Sequence, residues 1–365
     1  MTSSLQSVLS GSYGNVHIIR GENDGRFPSC NSIFIDGPTK VIIDPGAGLT
    51  PLQQLMESTT VDLVVNTHFH FDHITYNYLF SGAEIYINDL EAPCFTDRAE
   101  IARRLGLADL YGDKWVADWL GRISRPDTPQ SPYTPQNRHE WWLSTARLHG
   151  SYRWGDTMDF GGTAMKVIGA PGHSAGFCCL HFPKEGVVYT GDIDMTAFGP
   201  WYFGAEGDID QLIKSARALK ALDADTFVTG HEAGTLGRTE FLKRMDDFLD
   251  IINTRDTLVL NALSEPLAIG ELKKIGLFYG KKFLVDSWVQ AWEETAVRKH
   301  LERLVKQGRV ECHEDIYRRV SPPARSLHKG LKNAISGPRQ ISISPSRLLA
   351  ASRHTLPEKA IANKL

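Results

Sequence analysis

The sequence predicts an α/β protein in which two β-sheets pack together and helices cover their outer faces. Short apolar runs joined by glycine and proline turns indicate strands, and these runs alternate with helical patterns. The predicted helix 208–221 opens with Asp208 and Gln211, a pair typical of a capping box, and its apolar residues fall on one face. A second helix is predicted over 74–80. The predicted strands cover residues 15–20, 32–36, 40–44, 61–66, 84–87, 164–169, 177–182, 187–189 and 226–228.

The length and composition are those of an ordinary globular protein. Its 365 residues suffice for two domains of roughly 100–200 residues each, and 42% of them are hydrophobic. No apolar run approaches the ~18 residues that span a bilayer, and the first residues lack the pattern of a signal peptide. The five cysteines are odd in number and lack metal-type spacing, so we expect a reduced, cytoplasmic protein. Cys178 and Cys179 are neighbours on a predicted strand and should face opposite ways as packing residues.

The charge is unevenly distributed along the chain. Residues 1–254 contain 20 basic and 32 acidic residues, residues 255–320 contain 12 and 10, and residues 321–365 contain 8 and 1. An acidic first domain is a poor electrostatic match for nucleic acid. We therefore expect a small-molecule substrate and neither a nucleic-acid nor a membrane partner. The oligomeric state, a homodimer included, stays open.

The same patterns divide the chain into three segments. The first domain, residues 1–254, carries an insert at 90–153 that is rich in tryptophan and contains a proline-rich loop. This insert is an aromatic-packed helical layer, a cover over the substrate cleft, or both. Residues 321–365 are a basic tail that we expect to be disordered. Between them, residues 255–320 form a unit with predicted helices at 271–275 and 295–306 and strands at 310–312 and 316–320.

Residues 67–73, THFHFDH, directly follow the predicted strand 61–66. Imidazole and carboxylate are ligands that suit zinc and related divalent ions. His68 and His70 alternate on extended backbone and should point the same way. Asp72 and His73 follow a turn of the chain, so they can face a second ion close by.

Three further candidate ligands follow at long spacing. His173 lies in PGHSAG, Asp192 in TGD and His231 in TGHE, and each comes after an apolar strand-like run. Adjacent glycines allow sharp bends of the backbone and leave space near an ion. Four motifs of this kind at strand ends predict one metal centre.

The ordered set H-x-H-x-D-H, H, D, H resembles the metallo-β-lactamase-fold hydrolases, and within them the glyoxalase II-like branch, over about residues 12–250. The resemblance implies a four-layer αββα sandwich with two metal ions. Residues 255–320 resemble the winged-helix domain appended to some of these hydrolases; a packing or dimerisation module is the alternative. The resemblance assigns the first ion to His68, His70 and His173, the second to Asp72, His73 and His231, and the bridge between them to Asp192.

The implied activity is hydrolysis by hydroxide held on two zinc ions, with iron or manganese as alternative metals. Asp72 and Asp192 are the implied catalytic carboxylates, and Asp72 would also orient the water. The expected substrate is an ester-like bond of a small molecule: a thioester, lactone or carboxylic ester. The alternatives are a phosphodiesterase or ribonuclease on the same site, or an iron-dependent persulfide dioxygenase. The basic residues that bind glutathione in the glyoxalase II-like branch cannot be mapped onto this chain.

Several residues near these motifs have two interpretations each. Asp44, before Pro45, resembles the family's carboxylate that receives the outer N–H of a ligand histidine, or it only forms a turn. His139 and His149 either reach the cleft or lie at the surface. Asp194 either flanks Asp192 or holds a loop. The segment 198–203, FGPWYF, is a candidate pocket wall.

Overall fold

The first sheet contains seven strands in the computed structural model, which describes residues 6–128 and 135–320. They lie in chain order as β1 (Leu9–Tyr13), β2 (Val16–Ile19), β3 (Ser32–Asp36), β4 (Lys40–Ile43), β5 (Leu63–Asn66), β6 (Glu84–Asn88) and β7 (Gly150–Tyr152). Strands β1 to β4 pair antiparallel, whereas β4 to β7 pair in parallel.

The second sheet contains six strands in the order β13-β12-β11-β10-β9-β8. These are β8 (Thr157–Asp159), β9 (Ala164–Gly169), β10 (Cys178–Phe182), β11 (Val187–Gly191), β12 (Thr226–Thr229) and β13 (Thr235–Gly237). All neighbours pair antiparallel except β11 and β12, which are parallel. The C-terminal ends of strands β9, β11 and β12 therefore lie at the same end of this sheet.

The two sheets share a buried core because alternate side chains of each strand point toward the other sheet. In β3, Ile33 and Ile35 belong to this inter-sheet core, whereas Phe34 packs on the side covered by helices. Cys178 and Cys179 divide in the same way, as predicted. Every predicted strand of the first domain is confirmed within two residues at each end.

Helices cover the outer faces of the sheets. They are α1 (Leu49–Ser58), α2 (Phe71–Ile74), α3 (Pro93–Thr96), α4 (Ala99–Arg104), α5 (Leu107–Ile123), α6 (His139–Ser144), α7 (Ile209–Leu219) and α8 (Arg238–Ala262). Asp208 caps α7 by accepting a hydrogen bond from the Gln211 backbone N–H at 2.8 Å, as predicted. Helical turns occur at Glu22–Gly25, Asn77–Leu79, Pro135–Asn137 and Lys281–Phe283. Among the described residues, no helix is long and apolar enough to cross a lipid bilayer.

The predicted helix 74–80 is wrong. The chain instead forms the single turn of α2 and a separate 3₁₀ turn at Asn77–Leu79. The buried side chains of Asn66 and Asn77 exchange two hydrogen bonds, of 2.9 and 3.2 Å. These bonds tie the 3₁₀ turn back to the end of β5.

The described part of the insert is helical, with α3 to α6 between β6 and β7. Its last residues, Gly150–Tyr152, instead form the edge strand of the first sheet. Trp119 and Trp141 are buried with ring centroids 5.2 Å apart. Ser144 donates a hydrogen bond to the carbonyl of Thr75, next to α2. The insert therefore packs as an aromatic layer and also contacts the segment that carries two candidate ligands.

Residues 255–320, called the C-terminal unit below, contain the end of α8 together with α9 (Ile269–Ile275), α10 (Ser287–Lys306) and a three-stranded sheet. The predicted strands pair antiparallel as β15 (Val310–His313) and β16 (Ile316–Arg319), and β14 (Leu267–Ala268) adds to β16. Helix α8 runs through residue 254, where the sequence analysis placed a boundary. Trp288 and Trp292 of α10 pack into the core of the first domain.

Candidate metal centre

The predicted ligands meet at one edge of the sandwich, where strands end. His68 and His70 follow β5, Asp72 and His73 lie in α2, and His173 follows β9. Asp192 directly follows β11, and His231 comes two residues after β12. Gly172, before His173, has a φ of +117°, and a side chain there would meet the backbone of Leu212 at 2.2 Å. All seven residues are 8% exposed or less.

Four of these residues form a first ligand set, made of His68, His70, His173 and Asp192. His173 Nε2 lies 2.8 Å from His70 Nδ1 and 3.2 Å from His68 Nε2. Asp192 Oδ2 lies 3.1 Å from His173 Nε2 and 3.8 Å from His68 Nε2. A tetrahedral zinc ion with bonds of about 2.0–2.1 Å needs ligand atoms about 3.3 Å apart, so these atoms have suitable spacing.

Asp192 also belongs to a second ligand set, with Asp72, His73 and His231. His231 Nε2 lies 3.3 Å from both Asp72 Oδ2 and His73 Nε2. The other carboxylate oxygen of Asp192, Oδ1, lies 2.7 Å from His73 Nε2 and 3.5 Å from His231 Nε2. The two oxygens of Asp192 thus face two different sets, as a bridging ligand requires.

The ring nitrogens and carboxylate oxygens that point into both ligand sets are suited to bind a positive ion. His173 and His231 direct Nδ1 at backbone carbonyls of Trp201 (2.8 Å) and Ser29 (2.9 Å). In neutral rings these Nδ1 atoms carry the protons, so the Nε2 lone pairs face the other ligands. Asp192 Oδ1 is buried and accepts no hydrogen bond, although His73 Nε2 is close to it. When the rings are neutral, their lone pairs converge with the Asp192 oxygens, and such an arrangement fits metal ions.

The electrostatics of the histidines agree with this arrangement. Burial lowers the pKa of His68 and of His70 well below the ordinary value, so both rings stay in the neutral form that binds metal. Burial also lowers the pKa of His73, but Asp192 and other neighbours outweigh burial and raise that pKa well above its ordinary value. The second set therefore holds a proton strongly when no metal is bound, and metal binding there releases it.

Asp44 fulfils both of its candidate roles. It adopts a φ of +47° before Pro45, as a turn residue does. It is fully buried, and its Oδ2 lies 2.9 Å from His73 Nδ1. It also accepts hydrogen bonds from the backbone N–H of Thr67 at 2.7 Å and from the Thr67 hydroxyl at 2.6 Å. This carboxylate lies outside the two sets that share Asp192, although it groups with His68 and His73, and it fixes the orientation of the His73 ring.

The remaining alternatives are also resolved by contacts. His139 Nδ1 lies 2.8 Å from the carbonyl of Ile123, and His149 accepts the backbone N–H of Ile85 at 2.9 Å. Neither histidine belongs to the ligand sets. Asp194 accepts the backbone N–H of Thr196 at 3.1 Å, which is a loop role, and burial raises its pKa to about 7.

The sequence analysis did not identify Glu91, a buried carboxyl group beneath the first ligand set. It accepts hydrogen bonds from the Ser174 hydroxyl (2.7 Å), the Gly176 backbone (2.5 Å) and the Phe69 backbone (3.3 Å). It therefore links the loop of His68 and His70 to the loop of His173. Burial raises its pKa to about 7. No local pattern marks this residue, because its partners lie 22 to 85 positions away.

The segment 198–203, called the aromatic loop below, lies against the first ligand set. The ring of Trp201 makes an edge contact with His70 at a centroid distance of 4.9 Å and also contacts His173 at 5.4 Å. Trp201 is half-buried and lies beside the first ligand set, and its role as a pocket wall stays a prediction.

Comparison with known proteins connects this geometry to a family. The family model of the metallo-β-lactamase superfamily matches residues 25–87 and 154–231, which hold all seven candidate ligands. The chain is 27% identical over 166 residues to a hydroxyacylglutathione hydrolase from Mesorhizobium japonicum, covering 45% of this chain and 61% of that protein. It is 24% identical over 198 residues to the human acyl-coenzyme A thioesterase MBLAC2, covering 50% of this chain and 59% of that protein.

Two solved structures have the same fold. A β-lactamase domain protein from Burkholderia ambifaria matches with a TM-score of 0.57 and 18% identity, covering 86% of this chain and 93% of its own. A metallo-β-lactamase family protein from Thermus thermophilus matches with a TM-score of 0.54 and 22% identity, covering 80% and 94%. The family model, the two-sheet sandwich and the ligand sets agree, and the chain belongs to the metallo-β-lactamase superfamily.

Proposed function

We propose that this protein is a dinuclear metal-dependent hydrolase that cleaves an ester-like bond of a small molecule. The observation that carries the proposal is the division of seven buried ligands into two sets that share Asp192. Two divalent ions held there would lower the pKa of a water molecule toward neutrality and polarise the scissile carbonyl. Zinc suits the nitrogen and oxygen donors, and iron or manganese are the alternatives.

The protein's own residues have separate tasks in this scheme. Asp192 holds the two ligand sets at a fixed separation through its two oxygens. Asp72 is at the edge of the second set, with Oδ2 3.3 Å from His231, and would orient the attacking water and accept its proton. Trp201 presents an apolar ring beside the first set, where it would contact the substrate and exclude water.

A thioester, lactone or carboxylic ester is the proposed substrate class. The two named relatives, a hydroxyacylglutathione hydrolase and an acyl-coenzyme A thioesterase, favour thioesters among these. The matched regions span about 60% of those two proteins, so the activity is inferred from the site as well as from the relatives.

Nucleic acid is a poor candidate substrate for electrostatic reasons. The first domain carries 12 more acidic than basic residues. The order of helices and paired strands supports a winged-helix-like C-terminal unit, and the turn between β15 and β16 carries Glu314 and Asp315. Acidic residues at the tip of a wing would repel phosphate groups. We therefore propose that this unit packs against the first domain and does not bind nucleic acid.

The test compares substrate classes on zinc-loaded and iron-loaded samples of one preparation at near-physiological salt. Thioesters of increasing acyl length, lactones, carboxylic esters, phosphodiesters, RNA oligomers and a glutathione persulfide form the panel. We expect metal-dependent cleavage of at least one ester-like class, and its loss after chelation. Cleavage of RNA with a higher kcat/KM than every ester-like substrate would make the protein a nuclease. Oxygen consumption with the persulfide by an iron-loaded preparation would instead make it a dioxygenase.

A further inference from the structure

The aromatic loop touches the first ligand set through its backbone as well as its ring. The carbonyl of Trp201 accepts the Nδ1–H of His173 at 2.8 Å. This contact fixes the rotation of the His173 ring and leaves its Nε2 lone pair facing His68 and His70. Residues 198–203 form neither helix nor strand, so their own backbone pairing does not hold them in place.

Arg255 of α8 holds the aromatic loop from the side opposite the metal centre. Arg255 is 4% exposed, and its guanidinium donates to the carbonyls of Phe198 at 2.6 Å and Pro200 at 2.5 Å. It also donates to the Tyr202 hydroxyl at 3.0 Å. The three acceptors flank Trp201 on both sides in the sequence. One buried planar group therefore holds the backbone before the carbonyl that orients His173 and the side chain of the residue after it.

The Tyr202 hydroxyl continues this contact into the C-terminal unit. It lies 2.8 Å from His300 Nε2, and His300 Nδ1 lies 2.6 Å from Asp256 Oδ1. Burial lowers the pKa of His300, so the ring is neutral, and its proton is on Nδ1 facing the carboxylate. The chain of hydrogen bonds then has one direction: Arg255 donates to Tyr202, Tyr202 donates to His300, and His300 donates to Asp256. Each donor and acceptor in this buried chain is satisfied.

A second contact from the C-terminal unit fixes the Trp201 side chain. Trp201 Nε1 donates to the Tyr279 hydroxyl at 2.9 Å. The backbone N–H of Tyr279 donates in turn to Glu293, which is fully buried in α10, at 3.0 Å. Both the carbonyl and the ring of Trp201 are thus held by groups from residues 255–320.

We propose that Arg255, Tyr202, His300 and Asp256 are positioning residues for the first ligand set. They act through the Trp201 carbonyl, so the C-terminal unit sets the affinity of the ion that His173 binds. Groups that orient a ligand histidine contribute about 10- to 100-fold to metal affinity, and a residue one contact further out should contribute less. This inference rests on the metal-binding part of the proposed function and not on the reaction.

The test removes single hydroxyl groups and measures zinc affinity in the full-length protein. Tyr202→Phe removes the link between Arg255 and His300 and keeps the ring. Tyr111→Phe is the matched control, because Tyr111 donates to the carbonyl of Ser287 at 2.9 Å and also joins the first domain to α10, away from His173. Zinc affinities come from competition with a chromogenic chelator. The occupancy of each position comes from anomalous scattering of crystals grown at limiting zinc.

Tyr202→Phe should weaken one zinc position by roughly 3- to 10-fold. In the crystals, occupancy should fall beside His173 and stay unchanged beside His231. Tyr111→Phe should leave both positions unchanged. The proposal is overturned if Tyr202→Phe keeps wild-type affinity at both positions, or weakens both equally. If Tyr202→Phe does not fold, Arg255→Lys gives the same test, because a lysine presents all its N–H donors from one atom and lacks the fork by which two guanidinium nitrogens serve these acceptors. A wild-type protein that binds fewer than two zinc ions would instead contradict the proposed function.

Discussion

Asp44 and His73 form a buried hydrogen bond of 2.9 Å between Oδ2 and Nδ1. The same carboxylate oxygen accepts the hydroxyl of Thr67, whose oxygen lies 3.0 Å from His68 Nδ1. His68 belongs to the first ligand set and His73 to the second. One carboxylate therefore orients a ligand of each set, directly in one case and through a hydroxyl in the other.

Asp44→Asn should weaken zinc binding at both positions by about 10-fold or more. An amide can place its N–H₂ toward His73 or Thr67, where only acceptors are useful, so one of the present hydrogen bonds is lost. Competition with a chelator measures both affinities. Asp36→Asn is the control, because Asp36 pairs with Lys40 on a neighbouring strand away from the ions. Unchanged affinities in Asp44→Asn would show that its turn role is the important one.

Asp192→Ala should abolish hydrolysis and reduce the bound zinc to one ion or none, while the metal-free protein stays folded. The alanine removes the oxygens that hold the two sets together, whereas the core between the sheets is unchanged. Metal analysis, circular dichroism and an assay on an identified substrate give the answer. Asp246→Ala, at an exposed position of α8, is the control. Wild-type turnover in Asp192→Ala would mean that Asp192 is not the bridge.

Glu91→Gln should lower the affinity of the first zinc position and leave the second near its wild-type value. Three donors converge on Glu91, and an amide offers one acceptor oxygen and turns a donor toward the remaining group. An unpaired buried donor costs about 1–3 kcal/mol, so the free energy of unfolding should also fall. Urea unfolding of the metal-free protein and zinc competition measure the two effects. Equal zinc affinities of the wild type and Glu91→Gln would show that Glu91 does not support the first zinc position.

The pKa of Glu91 also predicts a pH dependence of stability. Its pKa rises from 4.5 to about 7 on folding, so the folded state binds more protons than the unfolded state between these values. The contribution of Glu91 is fully present below pH 4.5 and is lost as the pH rises through 7. Metal-free wild type should therefore lose up to about 3 kcal/mol relative to Glu91→Gln across this window. A constant difference between the two proteins would refute the raised pKa.

Removal of residues 321–365 should leave zinc stoichiometry and activity on small substrates unchanged. This segment lies outside the described residues, and the prediction rests on its composition: it is basic and poor in periodic apolar residues. A truncated protein that binds less zinc, or unfolds at a lower temperature, would show that this segment contributes to zinc binding or to the stability of the folded protein.

The sequence predicted the central strands, and the structure brings together all seven candidate ligands that the sequence analysis named. Central strands are continuous apolar runs, and the ligands directly follow them. The four missed strands of the sandwich, β1, β7, β8 and β13, all lie at sheet edges, where exposed residues break the apolar pattern. Helix α10 begins at Ser287, eight residues before its predicted start. Its first part packs Trp288 and Trp292 against the first domain, whereas its last part packs Leu301 and Leu304 within the C-terminal unit. The single apolar face used for the prediction therefore covers only the last part.

The positions of Glu91, Arg255 and His300 could not be predicted in the same way. Their hydrogen-bond partners lie 22 to 98 residues away in the sequence, and no short pattern marks them. The sequence analysis left two roles open for Asp44, a turn residue before Pro45 or a buried acceptor for a ligand histidine. Both roles are compatible with the same local sequence, so the sequence alone could not choose between them. Such contacts depend on how the elements pack, which the single sequence does not contain.

The most direct test of the dinuclear site is anomalous scattering at the zinc edge from crystals of the wild-type protein grown with excess zinc. We predict two peaks, one within bonding distance of His68, His70 and His173, the other of Asp72, His73 and His231. The carboxylate of Asp192 should contact both. A single peak at saturating zinc, or two peaks that Asp192 does not join, would contradict the proposed centre.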